Sequence, residues 1–260
     1  MKNTIYKGLA VLAVSILTVS CSNDDKDPVS GIGNLEIEYD QSFGSNDLIL
    51  NSQTYTSSNN EVLKISTIKY IVSNIVLTKS DGTEFIYPKS DSYFIIDESS
   101  TDGQVITLKG IPAGDYTNVK FGIGVDKEQY DLGLTGQGDL YTRAQAAGLT
   151  WTWSAGYKYL AFEGTFTSPT VTTDTAFMIH NGQSTGNYNY AEVSLALPTK
   201  AQVRTTVTPE IHLFVDVDKI IDGSTKFKLS DNPMIMGGSD LVNITKNITE
   251  MFTVAHVHND

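Results

Sequence analysis

The chain of 260 residues holds a single cysteine, Cys21, so no disulfide can form within it. Basic side chains are scarce: 18 Lys and Arg stand against 30 Asp and Glu, for a formal net charge of −12. Such a surface attracts neither nucleic acid nor anionic lipid, and it draws cations weakly. Tryptophans number 2 (Trp151 and Trp153) and histidines 4 (His180, His212, His256 and His258). No Walker loop, dinucleotide-binding turn, HExxH helix or EF-hand loop is present. Gly122 and Gly124 of Phe-Gly-Ile-Gly-Val-Asp sit inside a strand pattern, where glycine marks close backbone approach rather than a phosphate cradle. Asp216, Asp218 and Asp222 lie close in sequence, but their spacing does not fit a calcium loop; the segment reads as a strand entering a helical turn, with solvated acids. Nothing pairs a nucleophile with a base, so no enzymatic activity is expected. No repeat with a period of roughly 20–50 residues recurs, which excludes a solenoid or propeller.

Long apolar runs are also few. The clearest, Gly8 to Ser20, follows Lys2 and Lys7 and is too short and too early for a membrane span. It reads as a secretory signal peptide over residues 1–20. Thr18-Val19-Ser20-Cys21 is a permissive lipobox, which makes Cys21 the lipidation site and the acyl chains the membrane anchor. Residues 21–32 are acidic and rich in breakers, a flexible tether resembling the export tag of some surface lipoproteins. The expected location is the outer membrane, lipid-anchored on its periplasmic face or at the cell surface.

What the rest of the chain has in quantity is period-two alternation. Leu35, Ile37 and Tyr39 share one strand face, and Glu36 and Glu38 the other. About ten such segments follow, separated by turn signals such as Asp81-Gly82 and Asn181-Gly182. The best short helix runs from an Asp139 N-cap to Gly148. The pattern predicts an all-β protein, a single-domain antiparallel β-sandwich over residues 33–260 with long loops and one or two short helices.

The stretch GLTWTWSAGYKYLAFEG (148–164) carries both indoles. On a strand Trp151 and Trp153 would share a face, as a core wedge, an aromatic platform or part of a metal site. His256 and His258 form an i, i+2 pair whose imidazoles share a strand face; His180 shares one with Met178; His212 lies opposite Ile211 and Leu213. Without a free thiolate, a metal site here draws on imidazole and thioether, a set that suits copper or zinc rather than magnesium or calcium. The ligand form is neutral imidazole, so affinity falls as pH drops through the histidine range.

Four blocks in order resemble the MbnP-like copper-binding family, proteins that accompany the copper-chelating peptide methanobactin, in its lipoprotein branch. They are IKYIVSNIVLTKSDG, IPAGDYTNVKFGIGVD, the tryptophan block and FMIHNG, and the likeness extends over residues 33 to 258. The resemblance implies a secreted β-sandwich that binds copper, as Cu(I) or Cu(II), with zinc the lesser choice, for storage, uptake or delivery. It implies that Trp151 or Trp153 is oxidised to kynurenine by a dihaem peroxidase-like maturation partner. It also implies His180 as first ligand, with His256, His258 and His212 as further ligands and an outer-membrane transporter as a partner. Relatives often carry methionine where this chain has Leu149, which leaves Met178 as the thioether nearby. The competing reading is a non-enzymatic surface module for glycan or protein, with exposed, flat indoles and scattered histidines. The copper reading requires two histidines within about 5 Å of each other beside a tryptophan.

Overall fold

The structure, a computed structural model, describes residues 29–133, 137–151, 156–184 and 186–260. The signal peptide, Cys21, most of the tether and Trp153 lie outside the described residues. In chain order the elements are β1 (Ile32–Phe43), β2 (Asn46–Asp47), β3 (Tyr55–Thr56), β4 (Val62–Lys79), β5 (Glu84–Ile86), β6 (Tyr93–Asp97), β7 (Val105–Pro112) and β8 (Gly114–Ile123). Two short helices follow, α1 (Lys127–Asp131) and α2 (Leu140–Ala146), then β9 (Lys158–Thr167), β10 (Thr175–Gly182), β11 (Ala191–Val203) and β12 (Glu210–Asp216). The chain ends with α3 (Lys219–Asp222), β13 (Met234–Ile235), α4 (Gly238–Ile248) and β14 (Phe252–His258).

The fold is all-β. One sheet runs β14-β12-β1, with β2 and β7 also paired to β1; the other runs β11-β8-β4-β9-β10-β13, with β3, β5 and β6 paired to β4. Leu35, Ile37 and Tyr39 of β1 are fully buried and pack with Ile211, Leu213 and Val215 of β12, as their alternation demands. β4 contributes Ile65, Ile68, Tyr70, Val72, Ile75 and Leu77 to the same core. Their spacing is odd in two places, and the register shifts there: between Ile65 and Thr67 against β9, and between Ser73 and Val76 against β8. These bulges return the next apolar residue to the core face.

A second, smaller apolar cluster contains Ile71, Tyr159 and Ala161 of the larger sheet, Leu140 and Ala144 of α2, and Leu149, Val125 and Tyr157. It seats the loop that carries Trp151. Gly122 lies in β8 as expected, Gly124 falls just past its end, and both mark a close approach. A Cβ on Gly122 would lie 1.8 Å from Tyr190 Oη, and one on Gly124, whose φ is +111°, 2.4 Å from Tyr159 Cγ.

Several expectations are corrected. The sheets are mixed, since β1 pairs with β12, and β10 with β13, in parallel. The described part of the tryptophan stretch enters a named strand only at Lys158, where β9 begins; Trp151 lies before it, next to the isolated Thr150–Tyr157 bridge. Asn181-Gly182 is no turn but the end of β10, because both ends of the Asn181 amide find buried partners. Its Nδ2 donates to Asn189 O at 2.9 Å, and its Oδ1 accepts from Thr245 Oγ1 at 3.0 Å. Asp139 precedes α2 but makes no capping bond; its carboxylate accepts from Arg143 Nε at 3.0 Å. Asp218 is half-buried rather than solvated, and burial, with Asp222 and Asp216 beside it, pushes its carboxyl up to about 6. The longest helix among the described residues is α4, beyond the one helix that the sequence pattern marked.

Candidate functional site

Alternation on β10 sends Phe177 and Ile179 into the main core and leaves Met178 and His180 on the outer face. On the neighbouring β9, Tyr159, Ala161 and Glu163 share that outer face. The antiparallel register sets Met178 opposite Glu163 and His180 opposite Ala161. Glu163 is therefore diagonal to His180, within reach of a long side chain, and its Oε1 lies 2.7 Å from His180 Nε2. That hydrogen bond is the first cause holding the Glu163 carboxyl below its usual range; burial opposes it, and Lys158 and Lys69 add to the lowering. An ionised Glu163 accepts, so His180 Nε2 carries the proton and donates. The other ring nitrogen, Nδ1, is buried and has no hydrogen-bond partner among the described residues.

Trp151 covers this ring, its centroid 6.0 Å from that of His180 and inclined at 58°. The close seat exists because residue 182 is glycine: a Cβ there would lie 3.0 Å from Trp151 Cζ2 and 2.6 Å from Tyr157 O. Lys158 N donates to Leu149 O at 3.0 Å, which closes the base of the loop. Tyrosines wall the adjoining cluster, Tyr141 against Tyr157 and Tyr130 and Tyr159 against Tyr188. Burial pushes the Tyr157 phenol up to about 12, and its hydroxyl donates to Gln137 Oε1 at 3.0 Å.

His212, His256 and His258 lie elsewhere, on the outer face of the other sheet. His212 sits on β12, the strand between β1 and β14, not on an edge. Its Nδ1 lies 3.2 Å from Glu38 Oε2 and its Nε2 3.2 Å from Asp40 Oδ2. Straight alternation from Phe252 would turn His256 and His258 inward with Val254. A bulge at Ala255 prevents this, for the register passes from Leu213↔Val254 to His212↔His256. The histidine rings then meet, His212 to His256 at 4.6 Å and His256 to His258 at 4.5 Å between centroids.

The structure thus divides the four histidines. Among the described residues His180 has a tryptophan but no second histidine, and the other three have each other but no tryptophan. Among the described residues no group of three or more His, Cys, Asp or Glu side chains is gathered around a point that could hold a metal ion. Met178 is half-buried on the His180 face, and its backbone pairs with Met234 of β13. Trp151 is half-buried and tilted against His180 rather than laid flat toward solvent. Sequence reasoning missed Glu163, Glu38, Asp40 and Glu210. Glu163 stood in the quoted Phe-Glu-Gly, but only the β9–β10 register makes it the partner of His180.

A family model described as MbnP matches residues 32–237. No curated protein matches the chain. Among solved structures, MbnP from Methylosinus trichosporium is similar at 12% identity, with a TM-score of 0.50, over 80% of this chain and 82% of that one. At that identity the likeness is one of fold.

Proposed function

The chain belongs to the MbnP family, and from that premise we propose that it is an extracytoplasmic copper-binding protein whose ion is held at His180. The observation that carries this reading is the asymmetry of the His180 ring. Nε2 is fixed by Glu163 at 2.7 Å, while Nδ1 is buried without a hydrogen-bond partner. An orphaned buried polar atom costs about 1–3 kcal/mol, a cost that an ion at Nδ1 would remove. A ligating histidine commonly gives its second N–H to a carboxylate, which fixes the tautomer and makes the ring a better donor. The donor set fits: one neutral imidazole, the Met178 thioether on the same strand face, and an aromatic lid, which favour a soft to borderline ion such as copper over magnesium or calcium. Zinc is the lesser choice. Copper would supply a thiophilic, redox-active centre for storage, uptake or delivery. Glu163 orients the ring, and Trp151 with the tyrosine-walled cluster excludes water.

Trp151 is the indole we assign to oxidation, because it lies against His180. Conversion to kynurenine needs an external oxidant, the role the family resemblance gives to a dihaem peroxidase-like partner. Anchorage through Cys21, exchange with an outer-membrane transporter and a non-enzymatic role complete the proposal and rest on the sequence. The test is metal analysis of protein purified from its own host, for the wild type and His180→Ala. Copper in the wild type and its loss in the variant are expected; a wild type free of copper overturns the assignment. Intact-mass analysis of the same material decides whether Trp151 is modified.

A further inference from the structure

The outer face of the β14-β12-β1 sheet carries a second constellation, independent of the His180 reading. The parallel β1–β12 register sets Glu36 beside Glu210 and Glu38 beside His212; the antiparallel β12–β14 register sets Glu210 beside His258 and His212 beside His256. Two successive rows therefore cross three strands: Glu38–His212–His256 and Glu36–Glu210–His258. Directly opposed side chains in neighbouring strands have Cβ atoms about 4.5–5.5 Å apart, a span that lets nitrogens from two strands close on one ion. Each row passes from carboxylate to imidazole. Asp40 adds a further carboxylate at 3.2 Å from His212.

The patch has the marks of an electrostatic trap. No lysine or arginine forms an ion pair with Glu36, Glu38, Asp40 or Glu210 among the described residues. The bulge at Ala255 is what delivers His256 and His258 to this face, and both are exposed there. Both also lie beyond residue 237, where the family match ends, while His212 lies within it.

We infer that His212, His256 and His258 form a second metal site, for a divalent d-block cation that prefers imidazole with carboxylate, Zn2+ or Cu2+. As the rings stand they lean on one another at 54° and 82° rather than around a common point. Exposed side chains change rotamer within picoseconds to nanoseconds, and rotation of His256 and His258 turns the cluster into a chelate without moving the backbone. His212 keeps one carboxylate contact as the partner that orients its ring, and the other carboxylate is freed to neutralise the ion.

The test is equilibrium titration of the purified chain with Zn2+, in the wild type, in His180→Ala and in the double variant His256→Ala/His258→Ala. His180→Ala, which removes the proposed copper ligand, is expected to retain a micromolar or tighter Zn2+ site. The double variant is expected to lose that site by at least about 100-fold, and Glu38→Gln to weaken it about 10-fold. Both substituted histidines are exposed, so unchanged thermal melting of the apo forms separates lost ligation from lost fold. Electron paramagnetic resonance of Cu2+-loaded His180→Ala should show more than one imidazole nitrogen. Unchanged Zn2+ affinity in the double variant overturns the proposal, as does millimolar binding in both proteins.

Discussion

Glu163→Gln isolates the contribution of one charge at the His180 site. The amide keeps the size of the side chain and its acceptor oxygen but removes the negative charge. The 2.7 Å contact to His180 Nε2 is a charge-assisted bond at a half-buried position, with 31% of the Glu163 side chain exposed. Bonds to charged groups contribute about 1.5–3 kcal/mol, and partial solvent screening trims this to about 1–2 kcal/mol. For a domain of this size that is a fall of about 2–8 °C in melting temperature. The sign with pH follows from the lowered Glu163 carboxyl. Its stabilisation is full above the ordinary carboxylate range and is lost as pH falls through the depressed folded value, so wild type and Glu163→Gln converge in acid. The same substitution makes Nδ1 a poorer donor, for an expected 10–100-fold loss of copper affinity, about 1.4–2.7 kcal/mol. The assay is a double-mutant cycle with His180→Ala, read by urea unfolding at neutral and acid pH beside copper titration. A coupling energy below about 0.3 kcal/mol, with unchanged copper affinity, refutes the assignment of Glu163 as the residue that orients His180.

Two further substitutions test the surroundings. Gly182→Ala drives a Cβ toward Tyr157 O and Trp151 Cζ2; a loss of about 1–3 kcal/mol in urea unfolding and a red shift of tryptophan fluorescence are expected, and neither would appear if the indole did not sit on residue 182. Glu98 is pushed up to about 7, first by burial and then by Asp47 and Asp40. An acid with a raised folded value destabilises the fold where it must ionise. Glu98→Gln should therefore stabilise the protein by about 1–2 kcal/mol at pH 8, with the gain vanishing as pH falls toward the ordinary carboxylate range, in denaturant melts across that interval.

The main core was legible because its cause is local. Leu35, Ile37 and Tyr39 alternate with Glu36 and Glu38, and such a strand can bury only one face. The partners of a strand are not local. Nothing in residues 32–43 says that β12 will lie beside them in parallel, so Glu38 and Asp40 could not be joined to His212. Bulges defeat period two at the decisive place, since counting from Phe252 turns His256 inward and only the extra residue Ala255 turns it out. α4 was hidden by Gly237-Gly238 and by its β-branched content, although Leu241, Ile244 and Ile248 trace a buried helical stripe. Asn181-Gly182 reads as a turn until the partners of its amide are known. The link from Trp151 to His180 came from family resemblance; the loop that makes the contact carries no periodic pattern.

The parallel pairing of β1 with β12 also sets an order of events. His212 and Asp40 meet across 172 residues of chain, and β14, which completes that sheet, is the last strand described. Closing so long a loop is entropically slow, whereas β8 and β4 of the larger sheet can pair much earlier. A chain growing from its N-terminus can thus pair β1 with β2 and β7, and β9 with β10 around His180, while β1 still waits for β12. The rows of acids and imidazoles come into being only at the final step, so an ion bound there would hold the two distant ends of the fold together and slow its unfolding.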